Sequence, residues 1–278
     1  MRSFQGRIVV ITGAASGIGA ALAKGMAAQG ARLMLADIDA AGLERVCAAL
    51  RAQGCDAHAW VTDTGSEAAI FDLAAQTLAK LGPAEVVINN AGVGLIAPVE
   101  NLPTTDAHWL MNINFWGVVH GCQAFLPQMR TRSDAVLVNI SSIFAMVSVP
   151  TQSIYNASKA AVRGFSDALR EELRDTPVRV LCVHPGGIKT NIANKARITD
   201  SSMVADSDQQ LRDNFLKVAR TTPEQAALVI MRAIAGGKTR VLIGPDAKLM
   251  DFLYRLAPGR VSAWVTRIGN QLRKMAQQ

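Results

Sequence analysis

Tyr155 and Lys159 stand four residues apart in Tyr155-Asn156-Ala157-Ser158-Lys159, within a stretch that reads as helix. Four residues is close to one helical turn, so the phenol and the ammonium share a face. Ser142 lies thirteen residues before Tyr155, in Asn139-Ile140-Ser141-Ser142, just after an apolar run that reads as a strand. Two hydroxyls stand there, Ser141 and Ser142. These residue types suit proton transfer. A free phenol ionises near pH ~10, too high for an efficient base at neutral pH. A neighbouring ammonium favours the phenolate. A serine hydroxyl can orient a reacting oxygen by hydrogen bonding.

A second constellation lies near the amino terminus. Arg7–Thr12 reads as a buried strand that runs straight into Thr12-Gly13-Ala14-Ala15-Ser16-Gly17-Ile18-Gly19, where a helix begins at once. Glycines allow a tight turn and close approach of the backbone to a pyrophosphate. The helix start offers free N–H groups and partial positive charge. Asp37 ends the second strand, about 20 residues past the loop, where a carboxylate can bind adenosine ribose hydroxyls and repel a 2′-phosphate. A dinucleotide beside an acid/base tyrosine implies hydride chemistry. Oxidising an alcohol requires its hydroxyl proton to be removed as hydride leaves, and a cationic nicotinamide further favours the phenolate.

The loop spacing, with its preceding Thr12, resembles the TGxxxGxG loop of the classical short-chain dehydrogenase/reductase family. Asn89-Asn90-Ala91-Gly92 after the fourth strand matches that family's NNAG motif, and the Ser142, Tyr155, Lys159 spacing matches its catalytic set. The resemblance covers about residues 5–245 and implies further roles. Lys159 would also hold the nicotinamide ribose. Asn114, in Asn114-Phe115-Trp116-Gly117, would complete a tetrad and hold a relay water. Asp63, with Thr64 beside it, would contact adenine. His184-Pro185-Gly186-Gly187-Ile188-Lys189-Thr190 resembles the motif whose backbone flanks the nicotinamide, with Pro185, Gly186 and Ile188 along it and Thr190 on the carboxamide. The cofactor set is thus Gly13, Ser16, Gly17, Ile18, Gly19, Asp37, Asp63, Thr64, Asn90, Ala91, Gly92, Tyr155, Lys159, Pro185, Gly186, Ile188 and Thr190. No Lys or Arg occupies Ala15, Ser16 or Ile38, where relatives that use NADP commonly place a cation. NAD is therefore expected over NADP. His184 reads as a structural histidine.

The elements that must hold these residues alternate. Strands are predicted at Arg7–Thr12, Arg32–Ala36, Asp56–Val61, Glu85–Asn89, Ala135–Ile140, Val178–Val183 and Thr239–Ile243. Helices are predicted at Ile18–Gln29, near Ala41–Gln53, at Glu67–Leu81, near Asp106–Met129 and at Ser153–Asp175. This alternation predicts an α/β fold, a doubly wound parallel sheet of Rossmann type. Residues 1–247 are expected to form one catalytic domain, with a more polar insertion at 190–222 placed as a lid. Residues 248–278 form a carboxyl-terminal helical extension.

Composition agrees with a globular chain. Half of the 278 residues are hydrophobic and 18% are charged, which argues against disorder. Cys47, Cys55, Cys122 and Cys182 form no CxxC pair, and no Cys/His cluster has metal-ligand spacing, so reduced thiols and no metal are expected. Nothing resembling a signal peptide or a membrane span is found, and a cytoplasmic location is the expectation.

Val93, Leu95, Phe144, Met146, Val149 and Ile192 follow the strand ends that should line a pocket, and suggest a hydrophobic alcohol or ketone as partner. The extension carries six basic residues, Lys248, Arg255, Arg260, Arg267, Arg273 and Lys274, against Asp251. Its apolar residues fall at helical spacing, first Leu249, Phe252, Leu253 and Leu256, then Val261, Trp264, Val265, Ile268, Leu272 and Met275. Such a tail packs on the protein or contacts a membrane surface. Nucleic acid is not the expected partner. The family resemblance implies a homodimer or homotetramer built through the two long helices. Two alternatives share this fold: an acyl-thioester ketoreductase, and a nucleotide-binding regulator without catalysis.

Overall fold

The computed structural model describes residues 3–192, 194–199 and 219–267. Seven strands form the central sheet. They are β1 (Ile8–Thr12), β2 (Arg32–Asp37), β3 (Ala57–Val61), β4 (Val86–Asn89), β6 (Ala135–Ile140), β7 (Val178–Pro185) and β9 (Arg240–Ile243), in the spatial order β3-β2-β1-β4-β6-β7-β9. Every pairing is parallel. The order reverses between β1 and β4, so the crevice beyond their carboxyl ends is the topological switch point. The single doubly wound domain expected from sequence is what forms.

Alternate strand residues feed two separate cores, as a pleated sheet covered on both faces requires. Val9 and Ile11 face one core with α1 (Gly17–Ala27), α2 (Ala40–Arg51) and the later helix α7 (Pro223–Ala235). Ile8 and Val10 face the other with α3 (Glu67–Lys80), α5 (Gly117–Met129) and α6 (Ser153–Glu172). The fully buried strands β1 and β4 contain Val and Ile at nearly every position, which fits this double burial.

Four features depart from the sequence reading. The helix expected near Asp106–Met129 is α4 (Thr104–Met111), a π-helical turn at Asn112–Trp116, and α5. Helix α7 falls where no element was placed, although Thr222 and Gln225 form a reciprocal capping box and Pro223 opens the first turn. A small parallel pair joins β5 (Leu95–Ile96) to β8 (Arg197–Ile198). Arg197 there bonds Asp106 and lies 3.6 Å over the Trp109 ring, which fastens β8 to α4. Finally, α8 (Pro245–Leu256) begins immediately after β9. Of the lid expected at 190–222, residues 193 and 200–218 lie outside the described residues, as do Ile268, Leu272, Arg273, Lys274 and Met275 of the extension. Among the described residues no helix is long and apolar enough to cross a membrane.

At the amino edge of the sheet, the buried Glu85 carboxylate accepts from Arg7 Nη1 at 2.6 Å, Arg132 Nη2 at 2.9 Å and the Ile8 N–H at 3.1 Å. It thereby ties the starts of β1 and β4 to the turn before β6. Burial alone would raise this carboxyl, but the bonds from Arg132, Ile8 and Arg7 outweigh it and hold it below its ordinary value. A carboxylate with a depressed folded-state value adds stability above its unfolded pKa and loses it as pH falls toward the folded one. Glu85→Gln is expected to cost about 2 kcal/mol at neutral pH. Urea titrations of the two chains should converge as the pH drops below the ordinary glutamate range. An unchanged gap in acid would show that packing, not charge, holds this edge.

Candidate active site

The carboxyl edge gathers the loop, the NNAG segment and the tyrosine helix by hydrogen bonds between side chain and backbone. Thr12, at the end of β1, accepts at Oγ1 from the N–H groups of Asn90 (3.0 Å) and Ala91 (3.1 Å). Asn90 Nδ2 returns bonds to the carbonyls of Thr12 (2.9 Å) and Gly13 (3.2 Å). Gly13 has φ +67°, and a Cβ on it would stand 2.8 Å from Ala91 Cα, so only glycine lets the two segments close. Gly17, Ile18 and Gly19 open α1, with Ser16 as its N-cap. Thr190 reaches across to this helix start, its Cγ2 lying 3.2 Å from where a Cβ on Gly17 would be.

Asp37 is the last residue of β2. Its carboxylate accepts from the Ala15 N–H and from the Asp39 N–H, each at 2.9 Å. Asp63 folds back on the Gly65 N–H at 2.8 Å, and Thr64 is buried beside it.

The π turn places Asn114 at the centre of the edge, fully buried. Its Oδ1 accepts from the Val93 N–H at 2.8 Å, and its Nδ2 donates to the Val93 carbonyl at 3.0 Å and to Ser158 Oγ at 3.3 Å. A π turn inside an α-helix often marks a functional position. Beneath it, Asn89 Nδ2 donates to Asn139 Oδ1 and Asn139 Nδ2 to Ser166 Oγ, so β4, β6 and α6 are cross-tied inside the core. Cys122 lies against both amides, and burial pushes its thiol up to about 12.

Helix α6 presents Tyr155 and Lys159 toward the same edge. Lys159 is almost fully buried; its Nζ donates to the Ile140 carbonyl at 3.1 Å and lies 5.8 Å from the Tyr155 ring centroid. Burial lowers this ammonium to about 8. Tyr155 is half-buried, and burial raises its phenol to about 12, opposed by a hydrogen bond with Ser142. The sequence-based expectation of a lowered phenol therefore differs from the outcome set by the chain's own groups. Desolvation exceeds the help that Ser142 gives. Ser142 caps a short 3₁₀ turn, Ile143–Ala145, by accepting from the Phe144 N–H at 3.1 Å. Ser141 instead donates to the Lys159 carbonyl at 2.8 Å, a structural use. His184 is buried, bonds the Ser142 carbonyl through Nδ1 at 3.2 Å, and is driven by burial down to about 4. A neutral ring that braces Ser142 agrees with a structural histidine.

Pro185 ends β7, and Gly186 donates to the Ile243 carbonyl at 2.9 Å. Ile188 pairs with Thr221 in an isolated bridge. One partner of this segment escaped the sequence reading: Asp246, in the first turn of α8, accepts from the Gly187 N–H at 2.6 Å. No local signal announces a bond between residues so far apart in sequence.

The apolar residues expected to line a pocket divide. Leu95 is buried in β5, and Met146 in a cluster with Ile143, Val147, Ala247 and Val261, so these two serve the core. Val93, Phe144, Val149 and Ile192 remain partly exposed, and Phe144 meets the Tyr155 ring edge to face at 6.4 Å.

The edge fits a dinucleotide. A Cβ on Gly92 would lie 3.3 Å from Asn114 Oδ1 and 3.4 Å from Lys159 Nζ, so the bare glycine lets the NNAG backbone lie close against both groups. Among the described residues no group of three His, Cys, Asp or Glu side chains could hold a metal, and all four cysteines are free.

Comparison with known proteins agrees with this geometry. The family model described as short chain dehydrogenase matches residues 7–201. SadH of Mycobacterium tuberculosis, which carries the name of an oxidoreductase, is 41% identical over 260 residues, 92% of each chain. A Burkholderia phymatum short-chain dehydrogenase/reductase, solved in complex with NAD, is 31% identical, with a TM-score of 0.86 over 92% of this chain and 95% of that one. A metagenomic short-chain oxidoreductase in complex with NADP is 28% identical, with a TM-score of 0.71 over 86% of this chain and 97% of that one.

Asp246→Ala, which releases Gly187, is expected to weaken dinucleotide binding by roughly tenfold, or about 1.4 kcal/mol. Asp246→Asn keeps an acceptor oxygen and should retain most of the affinity. Fluorescence titration with the dinucleotide checks both. Wild-type affinity in the alanine variant would reduce Asp246 to a helix-end residue.

Proposed function

The chain belongs to the short-chain dehydrogenase family, and on that premise we propose that it is an NAD-dependent oxidoreductase that interconverts a hydrophobic secondary alcohol and its ketone. The observation that carries this reading is the half-buried Tyr155 phenol, with the Ser142 hydroxyl near enough to ease its ionisation and the Lys159 ammonium 5.8 Å from its ring centroid. When bound, the nicotinamide supplies the hydride acceptor for oxidation or the donor for reduction.

The chain's own groups manage the proton. In oxidation, Ser142 bonds the substrate hydroxyl and Tyr155 Oη takes its proton while the carbon-bound hydrogen leaves as hydride. The products are ketone, reduced cofactor and a proton now on Tyr155. In reduction the same phenol donates. A phenol held high is in the donating form at neutral pH, so reduction needs no prior ionisation, and oxidation draws on the scarcer phenolate. Lys159, cationic below about 8, steadies the phenolate by charge. Asn114 holds Val93 and Ser158 in place, and we assign it a part in a water-mediated proton relay. Gly13, Ser16, Gly17, Ile18 and Gly19 would receive the diphosphate, Asp63, Thr64, Asn90, Ala91 and Gly92 the adenosine and ribose side, and Pro185, Gly186, Ile188 and Thr190 the nicotinamide.

NAD is favoured over NADP because the Asp37 carboxylate is fixed at the loop by two backbone N–H groups and no cation stands at Ala15, Ser16 or Ile38. A 2′-phosphate there would meet a charge of its own sign. The apolar substrate follows from Phe144 against Tyr155, with Val93, Val149 and Ile192 on neighbouring loops.

Tyr155→Phe is expected to lower turnover on the order of 10²–10⁴-fold with dinucleotide binding little changed. Undiminished turnover would end the acid/base assignment. For the wild type, kcat/KM for oxidation should rise with pH across the neutral range while that for reduction does not. Steady-state rates over a panel of aryl and aliphatic alcohols and ketones give both profiles. With NAD and NADP compared, Asp37→Ser should narrow the preference for NAD. A wild-type enzyme that prefers NADP would overturn the cofactor reading.

A further inference from the structure

The segment 245–267 has two faces of different character. The inner face of α8 belongs to the body of the protein. Ala247 is buried with Ile143 and Val147 from the turn after Ser142, Asp251 pairs with Arg240, and Asp246 holds Gly187. The outer face carries Leu249, Phe252 and Leu256, which are 59%, 58% and 68% exposed. Their spacing of three and seven residues sets them in one stripe. Trp264, in the helix that covers 261–267, adds an exposed indole. Exposed Lys248 and Arg255 lie along one side of the stripe, and exposed Arg260 and Arg267 follow it. Arg255 shares Asp251 with Arg240, yet most of its side chain stays in solvent.

Both acids of this segment point inward, so its outer surface combines apolar, aromatic and cationic groups. Packed on the same stripe of a second copy, the segment would gather Lys248, Arg255 and Arg260 of both copies into one seam, with no acid of the segment turned out to meet them. An anionic bilayer satisfies every part of the surface. Large apolar side chains enter the boundary between headgroups and acyl chains, tryptophan sits at the interface, and cations meet the lipid charge. We propose that residues 245–267 dock the protein on an anionic lipid surface, with Leu249, Phe252 and Leu256 as the inserted row. The inner face of the same helix touches the turn that follows Ser142, so docking sets the cleft edge beside the lipid. The binding itself does not rest on the reaction assigned above.

The full chain is sedimented with vesicles of phosphatidylcholine alone and with vesicles that also contain phosphatidylserine, at low and high salt. Binding is expected to the anionic vesicles and to fall with salt. Lys248→Gln and Arg260→Gln should each weaken it by roughly fivefold. The triple variant Leu249→Ser, Phe252→Ser, Leu256→Ser should abolish it with an unchanged thermal melt by circular dichroism. Absence of binding to either vesicle, or equal binding to both, overturns the proposal. So does a triple variant that keeps vesicle binding but changes its mass in analytical ultracentrifugation, which would make the stripe a contact between copies.

Discussion

The Asn114 carboxamide closes on both backbone groups of Val93 and on Ser158 Oγ, and the arrangement of the site depends on that closure. Every polar atom of a buried amide must find a partner, so its position admits little freedom. Val93 follows Asn90, Ala91 and Gly92, and Asn90 and Ala91 are themselves bonded to Thr12. Ser158 precedes Lys159 and bonds back to the Tyr155 carbonyl. A path of hydrogen bonds, continued through the short chain segment from Asn90 to Val93, thus runs from the glycine loop to the helix that bears the tyrosine. The glycine loop and the helix that carries Tyr155 and Lys159 are thereby joined through buried contacts rather than merely brought near each other.

Burial then sets the electrostatic character of that unit. Lys159 is lowered and Tyr155 raised by the same loss of water, although one is a cation and the other a neutral acid. Desolvation opposes charge of either sign. The Ile140 carbonyl holds Lys159 Nζ, which lies 5.8 Å from the Tyr155 ring centroid. Neutral His184 braces Ser142 from behind without adding a charge that would compete with Lys159.

The central strands were legible because burial on both faces leaves near-continuous apolar runs, as in β1 and β4, and all seven strands appear within a few residues of their expected limits. The residues that gather at the candidate site were legible through local spacing: Gly13 to Gly19, Asn89 to Gly92, and Ser142 with Tyr155 and Lys159. Three kinds of feature were not. The π turn at Asn112–Trp116 changes the helical phase locally, and no residue type marks it. Strands β5 and β8 are two residues each, too short for alternation to show. Partners such as Asp246 with Gly187, or Asn139 with Ser166, join residues whose proximity only the folded chain creates. Helix α7 belongs to none of these. Thr222, Pro223 and Gln225 spell its start, and its buried face of Ala226, Ile230, Met231 and Ile234 is periodic.

In a sheet whose strands all run one way, position along the strands is also position relative to the cleft. The residues before β1 lie at the amino edge, where Phe4 is buried and Gly6 bonds the Gly30 carbonyl. Helix α8 departs from the opposite edge, beside Gly187. The two flanks of the domain are therefore not equivalent handles. Attachment to a solid support through the residues that precede Ile8 would turn the cleft outward, toward solvent. Attachment through the segment after Ile243 would press the cleft against the support.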